Sequence, residues 1–247
     1  MSYCLGIKVK EGLIGLADTR ITTGNQTLTA KKVIIQQKKG KYAVFFMTSG
    51  LRALRDKAMI YFNEIVEESG FEYRKLYQLV NAFGAQIRRV SDEDRKALEA
   101  AHYDFNIHAL IAGQLEDDPE HKLFMVFPEG NWVEVGDANP YFIIGNTSHG
   151  KPILDRALRY ESSLNFAMKV GFLSFNATQV SSNDVGYPVD LILCRKNSFY
   201  MATQQLTHEQ MMRYSIWWQA KISQGIEEFP EDWANELLEN YEQGQQQ

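Results

Sequence analysis

The sequence predicts an α+β domain of stacked sheets covered by layers of helices. Three observations carry that expectation. Apolar spacing alternates between a period of two and a period of three to four in blocks, in the order strands, two long helices, strands, two helices, strands. The 247 residues, 45% hydrophobic and 23% charged, are enough for one large domain with a well-buried core or for two small ones. No repeat, long linker or low-complexity block divides the chain.

The elements follow in order. Tyr3 to Lys8 alternates and Leu13 to Asp18 is apolar, with Lys10-Glu11-Gly12 as the turn of a hairpin. Thr19 to Ala30, rich in Thr, Gly and Asn, reads as a loop. Val33 to Gln37 and Tyr42 to Thr48 form a second hairpin, which Ser49-Gly50 breaks. From Leu51 the period changes: Leu54, Ala58, Tyr61, Phe62, Ile65 and Val66 mark an amphipathic helix ended by Gly70. A second helix carries Leu76, Leu79, Val80, Phe83, Ile87 and Val90, and Ser91-Asp92-Glu93-Asp94 resembles a cap opening another short helical piece. Strands return at Phe105 to Gly113, Leu123 to Phe127, Trp132 to Val135 and Tyr141 to Ile144. Helices are expected at Pro152 to Tyr160, with Pro152 as the first helical residue, and at Leu164 to Val180. Val189 to Cys194 and Phe199 to Thr203 close the core. The division is therefore 1–205 as one domain and 206–247 as a helical extension, packed on the domain or on a neighbouring subunit, with a disordered Gln-rich tip.

Bulk properties exclude several classes. A formal net charge of -5 offers no concentrated basic face for nucleic acid. No apolar run approaches the roughly 20 residues of a membrane span. Lys8, Lys10 and Glu11 interrupt any signal-peptide pattern, so a cytoplasmic protein beginning functionally at its own N-terminus is expected. Cys4 and Cys194 lie in apolar strands and read as buried thiols. The five histidines show no metal-ligand spacing, and neither metal nor cofactor is expected. Gly145-Asn146-Thr147-Ser148-His149-Gly150-Lys151-Pro152 imitates a P-loop, but proline stands where a Mg²⁺-ligating Ser or Thr is required.

The chemistry-bearing residues cluster near the start. Were Met1 removed, Ser2 would carry a hydroxyl and a free amine on one residue, and the amine can act as base for its own hydroxyl. The first hairpin returns Asp18 close to the N-terminus, and a strand beginning at Lys32 can lie alongside. A lysine near the α-amine would lower the amine's pKa by like-charge repulsion, leaving more neutral base at pH 7. Asp18 would orient that lysine and balance its charge. Lys31 is the alternative on spacing alone. The backbone N–H of Gly50, with Ser49 beside it, is the candidate oxyanion donor.

Ser2-Tyr3-Cys4-Leu5-Gly6-Ile7, Leu16-Ala17-Asp18-Thr19-Arg20 and Lys31-Lys32-Val33-Ile34 resemble the start of proteasome-type β subunits, which are N-terminal nucleophile hydrolases. The Tyr-Cys pair, Thr48-Ser49-Gly50 and the run from Gly150 to Arg156 resemble the bacterial branch called Anbu, the ancestral-type β subunit. The resemblance implies a four-layer αββα sandwich, assembled as a homo-oligomer in rings or open spirals. It implies a peptidase or amidohydrolase acting on a peptide or amide, with Ser2, Asp18 and Lys32 catalytic and Gly50 and Ser49 at the oxyanion. Lys32 is preferred to Lys31 because the family's lysine immediately precedes the β-branched residue. The chain departs from the pattern where Asn146 replaces a family serine. In the family's Asp-x-x-Ser-Gly segment, Ser182 takes the aspartate position and Val185 the serine, with Asp184 as a shifted substitute. These departures support a second reading, a non-catalytic assembly subunit that keeps the fold; an acyl transferase using an amine in place of water is a third. No particular substrate or ATPase partner is indicated.

Overall fold

The computed structural model describes residues 2–23 and 26–244. The expected removal of Met1 and the expected Gln-rich tip therefore concern residues outside those described. The chain divides into two compact units, Met1–Thr207 and His208–Gln247.

In the first unit, β1 (Tyr3–Val9) and β2 (Gly12–Asp18) pair antiparallel from Cys4↔Ala17 to Val9↔Gly12. All residues of both strands are buried, which explains why Leu13 to Ala17 reads as a continuous apolar run rather than an alternation. Outside β1 lies β10 (Tyr141–Gly145), and beyond β2 lie β11 (Val189–Arg195) and β12 (Met201–Leu206), giving a five-stranded sheet in the order β10-β1-β2-β11-β12. A second five-stranded antiparallel sheet runs in sequence order: β5 (Val33–Lys38), β6 (Tyr42–Gly50), β7 (Ile107–Leu115), β8 (Lys122–Val126), β9 (Trp132–Glu134).

Three apolar clusters hold the unit together. Leu54 and Phe62 of α1 (Arg52–Ser69) and Leu79, Phe83 and Ile87 of α2 (Leu76–Ala100) pack with Phe46, Ile111 and Phe124 of the second sheet. Leu154 of α3 (Lys151–Ala157) and Ala167, Val170 and Phe175 of α4 (Leu164–Ser181) pack with Leu5, Ile7 and Leu16 of the first. Cys4, Leu13 and Ala17 from the first sheet meet Phe45, Met47 and Leu110 from the second in the third cluster. The second unit contains α5 (His208–Glu227) and α6 (Asn235–Gly244), with a single 3-10 turn at Asp232–Ala234 between them.

The structure corrects four local expectations. Within the expected loop Thr19 to Ala30, β3 (Arg20–Thr23) pairs with β4 (Gln26–Thr29), and the β-branched threonines suit a short ladder. The strand before Gly50 is not broken at Ser49; β6 runs through Gly50. Ser91 to Asp94 opens no new helix, because α2 is continuous to Ala100. Those polar residues sit mid-helix and face partners: Lys57 of α1 pairs with Glu93 at 2.6 Å and Asp94 at 2.9 Å, and Ser91 Oγ accepts from Arg95 Nε at 2.8 Å. Pro152 is the second helical residue of α3, following Lys151. Lys151 donates to the Tyr141 hydroxyl at 3.0 Å and pairs with Asp155, an occupation unlike that of a phosphate-binding lysine. Cys4 and Cys194 are free and buried.

Phe83 is fully buried and meets Phe46 and Phe62 edge-on at 5.8 and 5.6 Å. Phe83→Ala is expected to cost about 3–5 kcal/mol in denaturant unfolding. Phe166→Ala, at a position 45% exposed, is expected to stay within about 0.5 kcal/mol. Equal losses at the two positions would contradict the assigned core.

Candidate active site

Ser2 is held by its main chain on both sides. Its carbonyl accepts from the Asn146 N–H at 2.7 Å, and the following N–H, that of Tyr3, donates to Asp18 Oδ1 at 2.7 Å. The Tyr3 side chain anchors the same point from below. It is fully buried, its ring meets Phe175 at 5.9 Å, and its hydroxyl lies 2.7 Å from Ser174 Oγ. Ser174 Oγ in turn donates to the Gly150 carbonyl at 2.8 Å, so the Tyr3 hydroxyl is the donor in their shared bond.

Asp18 arrives by register. With Cys4 opposite Ala17, the next step along the ladder brings Asp18 beside Tyr3. Its carboxylate has no solvent exposure, and Oδ1 accepts from both Tyr3 N–H and Lys32 Nζ, the latter at 2.6 Å. Lys32 Nζ also donates to the Arg20 carbonyl at 2.7 Å. Between the two candidate lysines, Lys32 is the one whose ammonium reaches Asp18; Lys31 is exposed. Burial pushes the Asp18 carboxyl above its ordinary range, and the Lys32 ammonium and the Tyr3 N–H pull it back. Asp18 Oδ2 is buried and makes no well-aligned hydrogen bond among the described residues, so the charge is held by what Oδ1 receives and by the Gly186 N–H beside the carboxylate.

Gly50 brings the second sheet to the same place. Its φ is +115°, and a Cβ there would lie 2.1 Å from the Asn106 carbonyl oxygen, so only glycine fits. The next N–H, of Leu51, donates to that oxygen at 2.9 Å. The alternation of an antiparallel ladder then turns the Gly50 N–H to the other side of β6, where β5 starts only at Val33, opposite Met47. Helix α1 follows at once, with no side-chain cap on Leu51 and no acidic residue in its first turn, so the positive end of its dipole is uncompensated there. Gly145, at φ +90°, allows the other close approach: a Cβ would stand 1.9 Å from the Ser2 carbonyl oxygen and 3.1 Å from Ser49 Oγ.

Ser2, Lys32, Ser49 and Gly50 line one cavity of about 810 Å³. A serine, a lysine backed by a buried carboxylate and a glycine N–H turned away from β7 around one cavity are compatible with acyl transfer. Cys4 does not compete as nucleophile, since burial pushes its thiol up to about 12. Among the described residues no cluster of three or more His, Cys, Asp or Glu could hold a metal ion, and no helix is long and apolar enough to cross a membrane.

The supporting residues are placed unequally. Asn146 is buried and contributes its N–H to Ser2, while its Oδ1 accepts from Ser148 N–H at 3.4 Å. Ser182 and Asp184 do not line the cavity; Ser182 ends α4, and its carbonyl accepts from Val185 N–H at 3.3 Å. Their segment reaches the site through Arg20, whose guanidinium donates to the Asn183 carbonyl at 2.9 Å, and through the Gly186 N–H, which supports the Asp18 carboxylate. Sequence reasoning missed Arg20, Arg55 and His108, all of which line the cavity. Arg20 follows Asp18 by two residues, and Arg52 and Arg55 follow Gly50 at helical spacing, signals available in the sequence. His108 enters only through its pairing with Ser49 across β6 and β7, which spacing could not reveal.

No protein-family model matches the chain, and no curated protein sequence matches it. Solved structures do. An Anbu (Gly-1) mutant from Hyphomicrobium sp. strain MC1 superposes with a TM-score of 0.85 at 27% identity, covering 92% of this chain and 98% of that one. Anbu (ancestral beta-subunit) from Yersinia bercovieri gives 0.85 at 25% identity over 92% and 98%. A structure described as the helical assembly of the Anbu complex from Pseudomonas aeruginosa gives 0.87 at 22% identity over 92% and 97%, a likeness of fold alone. Over 92% of its length, then, the chain has the fold of the Anbu structures, and its resemblance to proteasome-type β subunits of that ancestral branch extends well beyond the motifs near its start.

Proposed function

We propose that the chain is a proteasome-like N-terminal nucleophile amidohydrolase or peptidase whose nucleophile is Ser2 once Met1 is removed. The observation that carries this reading is the double use of Asp18 Oδ1, which fixes Tyr3 N–H and Lys32 Nζ at one buried point beside Ser2. In the proposed reaction the Ser2 amine takes the hydroxyl proton as Oγ attacks the amide carbonyl carbon. The Gly50 N–H receives the oxyanion. Collapse expels the amine product, which takes the proton from the ammonium. Water, deprotonated by the same amine, then hydrolyses the Ser2 ester and restores the hydroxyl. Lys32 keeps the amine neutral by repulsion, and Asp18 holds Lys32 in place.

The three apolar clusters support the layered αββα arrangement of such subunits. The Pseudomonas aeruginosa helical assembly supports a homo-oligomer, ring or open spiral, for this chain. We assign it to the cytoplasm, with residues 206–247 as a helical extension available to subunit contacts. A second reading, a non-catalytic assembly subunit, is favoured by Ser182 and Asp184 lying off the cavity and by Asn146 contributing its main chain to Ser2.

Intact mass of the untagged protein separates the two readings. Loss of Met1, with a β-lactone probe adding to wild type and not to Ser2→Ala, is expected of the hydrolase; retention of Met1 would leave no amine on Ser2 and reject it. Ser2→Ala is expected to lower kcat by roughly 10³-fold or more. Lys32→Met strands a buried carboxylate and is expected to cost about 3–5 kcal/mol in denaturant unfolding, in addition to activity. The pH profile of kcat/KM is expected to rise through one ionisation below the ordinary α-amine range of about 7.7–8.0, since the neutral amine is the base. A profile flat from acid to neutral pH would exclude the amine from that role.

A further inference from the structure

We propose that the Ser2 cavity selects acyl groups carrying a side-chain carboxylate, and that Arg55 is the residue that reads it. The proposal rests on the acyl-transfer reading above and names its substrate class.

The cavity is lined by four cationic side chains, Arg20, Lys32, Arg52 and Arg55, against one acidic side chain, Asp104. The Lys32 ammonium is already committed to Asp18 and to the Arg20 carbonyl. Arg52 and Arg55 share a single carboxylate: Arg52 Nε reaches Asp56 Oδ2 at 3.2 Å, and Arg55 Nε and Nη2 both reach Asp56 Oδ1, at 2.9 and 2.8 Å. Two guanidinium groups on one carboxylate leave an excess positive charge at the cavity wall. The charge that matters is on Arg55, whose side chain is 14% exposed, whereas that of Arg52 is 60% exposed and screened. Asp56 takes the Nε side of the Arg55 fork and leaves the Nη1 donors for a second carboxylate, the planar geometry guanidinium favours. His108 adds no charge at neutral pH, because burial lowers its pKa.

A recess of about 360 Å³ shares Lys32, Thr48 and Arg55 with the main cavity and gives a carboxylate-bearing side chain a place beside Arg55. Its remaining wall is made by Ile34, Met59 and Ile60, apolar surface on which the methylenes of an acidic side chain can pack, with Lys31 adding a further cation and Asp56 being the carboxylate already held by Arg52 and Arg55. A lysyl or arginyl side chain would bring a third cation to the Arg52–Arg55 pair.

The test uses peptide amides identical except for Glu, Gln or Lys on the acyl side of the scissile bond. Turnover is measured with processed wild type, and equilibrium binding with Ser2→Ala, which cannot form the ester. Glu is expected to exceed Gln by roughly tenfold or more in both measurements, and Lys to be weakest. Arg55→Met should collapse the Glu/Gln ratio towards one, and Arg52→Met should narrow it less; the exposed Arg52 supplies a variant that folds should Arg55→Met fail to. Preference for Glu in Ser2→Ala binding without wild-type turnover would uphold the carboxylate site while rejecting the hydrolase. Turnover with a Glu/Gln ratio near one, or a ratio unmoved in both arginine variants, would overturn the proposal, as would absence of binding and turnover for all three peptides.

Discussion

A single oxygen atom, Asp18 Oδ1, is the point on which the rest of the site depends. A carboxylate withdrawn from water is tolerated only where partners restore what hydration supplied, and here those partners are the Lys32 ammonium and the main-chain N–H groups of Tyr3 and Gly186. Each belongs to a different stretch of chain: Asp18 ends β2, Tyr3 starts β1 and Lys32 immediately precedes β5. The Arg20 carbonyl adds a further anchor through Lys32. The electrostatic requirement of one buried charge therefore sets the mutual positions of the first residues of the chain and the entry to the second sheet.

The site is divided between two sheets. Ser2 and Asp18 come with the first, Gly50 and Ser49 with the second, so the distance between candidate nucleophile and candidate oxyanion donor is fixed by how the sheets pack. That packing rests on Cys4, Leu13 and Ala17 against Phe45, Met47 and Leu110. Small residues on one face and large ones on the other let the layers interdigitate, and a change of volume there would act on the cavity without touching a polar group. Gly50 and Gly145 complete the arrangement by admitting carbonyl oxygens where any side chain would stand.

Much of this was legible in the sequence, for reasons that differ by element. The first hairpin could be read because Lys10-Glu11-Gly12 is an unambiguous turn between apolar strands, and that reading alone brings Asp18 to the N-terminus. The β3–β4 pair could not, because its threonines and glycine suit a loop equally well and only pairing such as Arg20↔Thr29 distinguishes them. The polar run Ser91 to Asp94 misled because a cap and the exposed face of a long helix have the same composition; Lys57, 37 residues before Asp94, decides between them. Within the candidate site, Ser2, Asp18, Lys32 and Gly50 stand in local motifs. The roles of Arg55 and His108 depend on contacts across elements, Asp56 with both arginines and Ser49 opposite His108, which one-dimensional spacing does not encode.

Among the described residues, the bonds that position residue 2 pass through peptide groups: Ser2 by its carbonyl, Tyr3 by its N–H, Asn146 by its N–H. None of them involves the hydroxyl. Another small side chain at that position would leave these main-chain bonds in place. For the proposed hydrolase, chemistry is thereby separable from architecture at the level of a single codon: a change at residue 2 can silence or restore it while the fold persists.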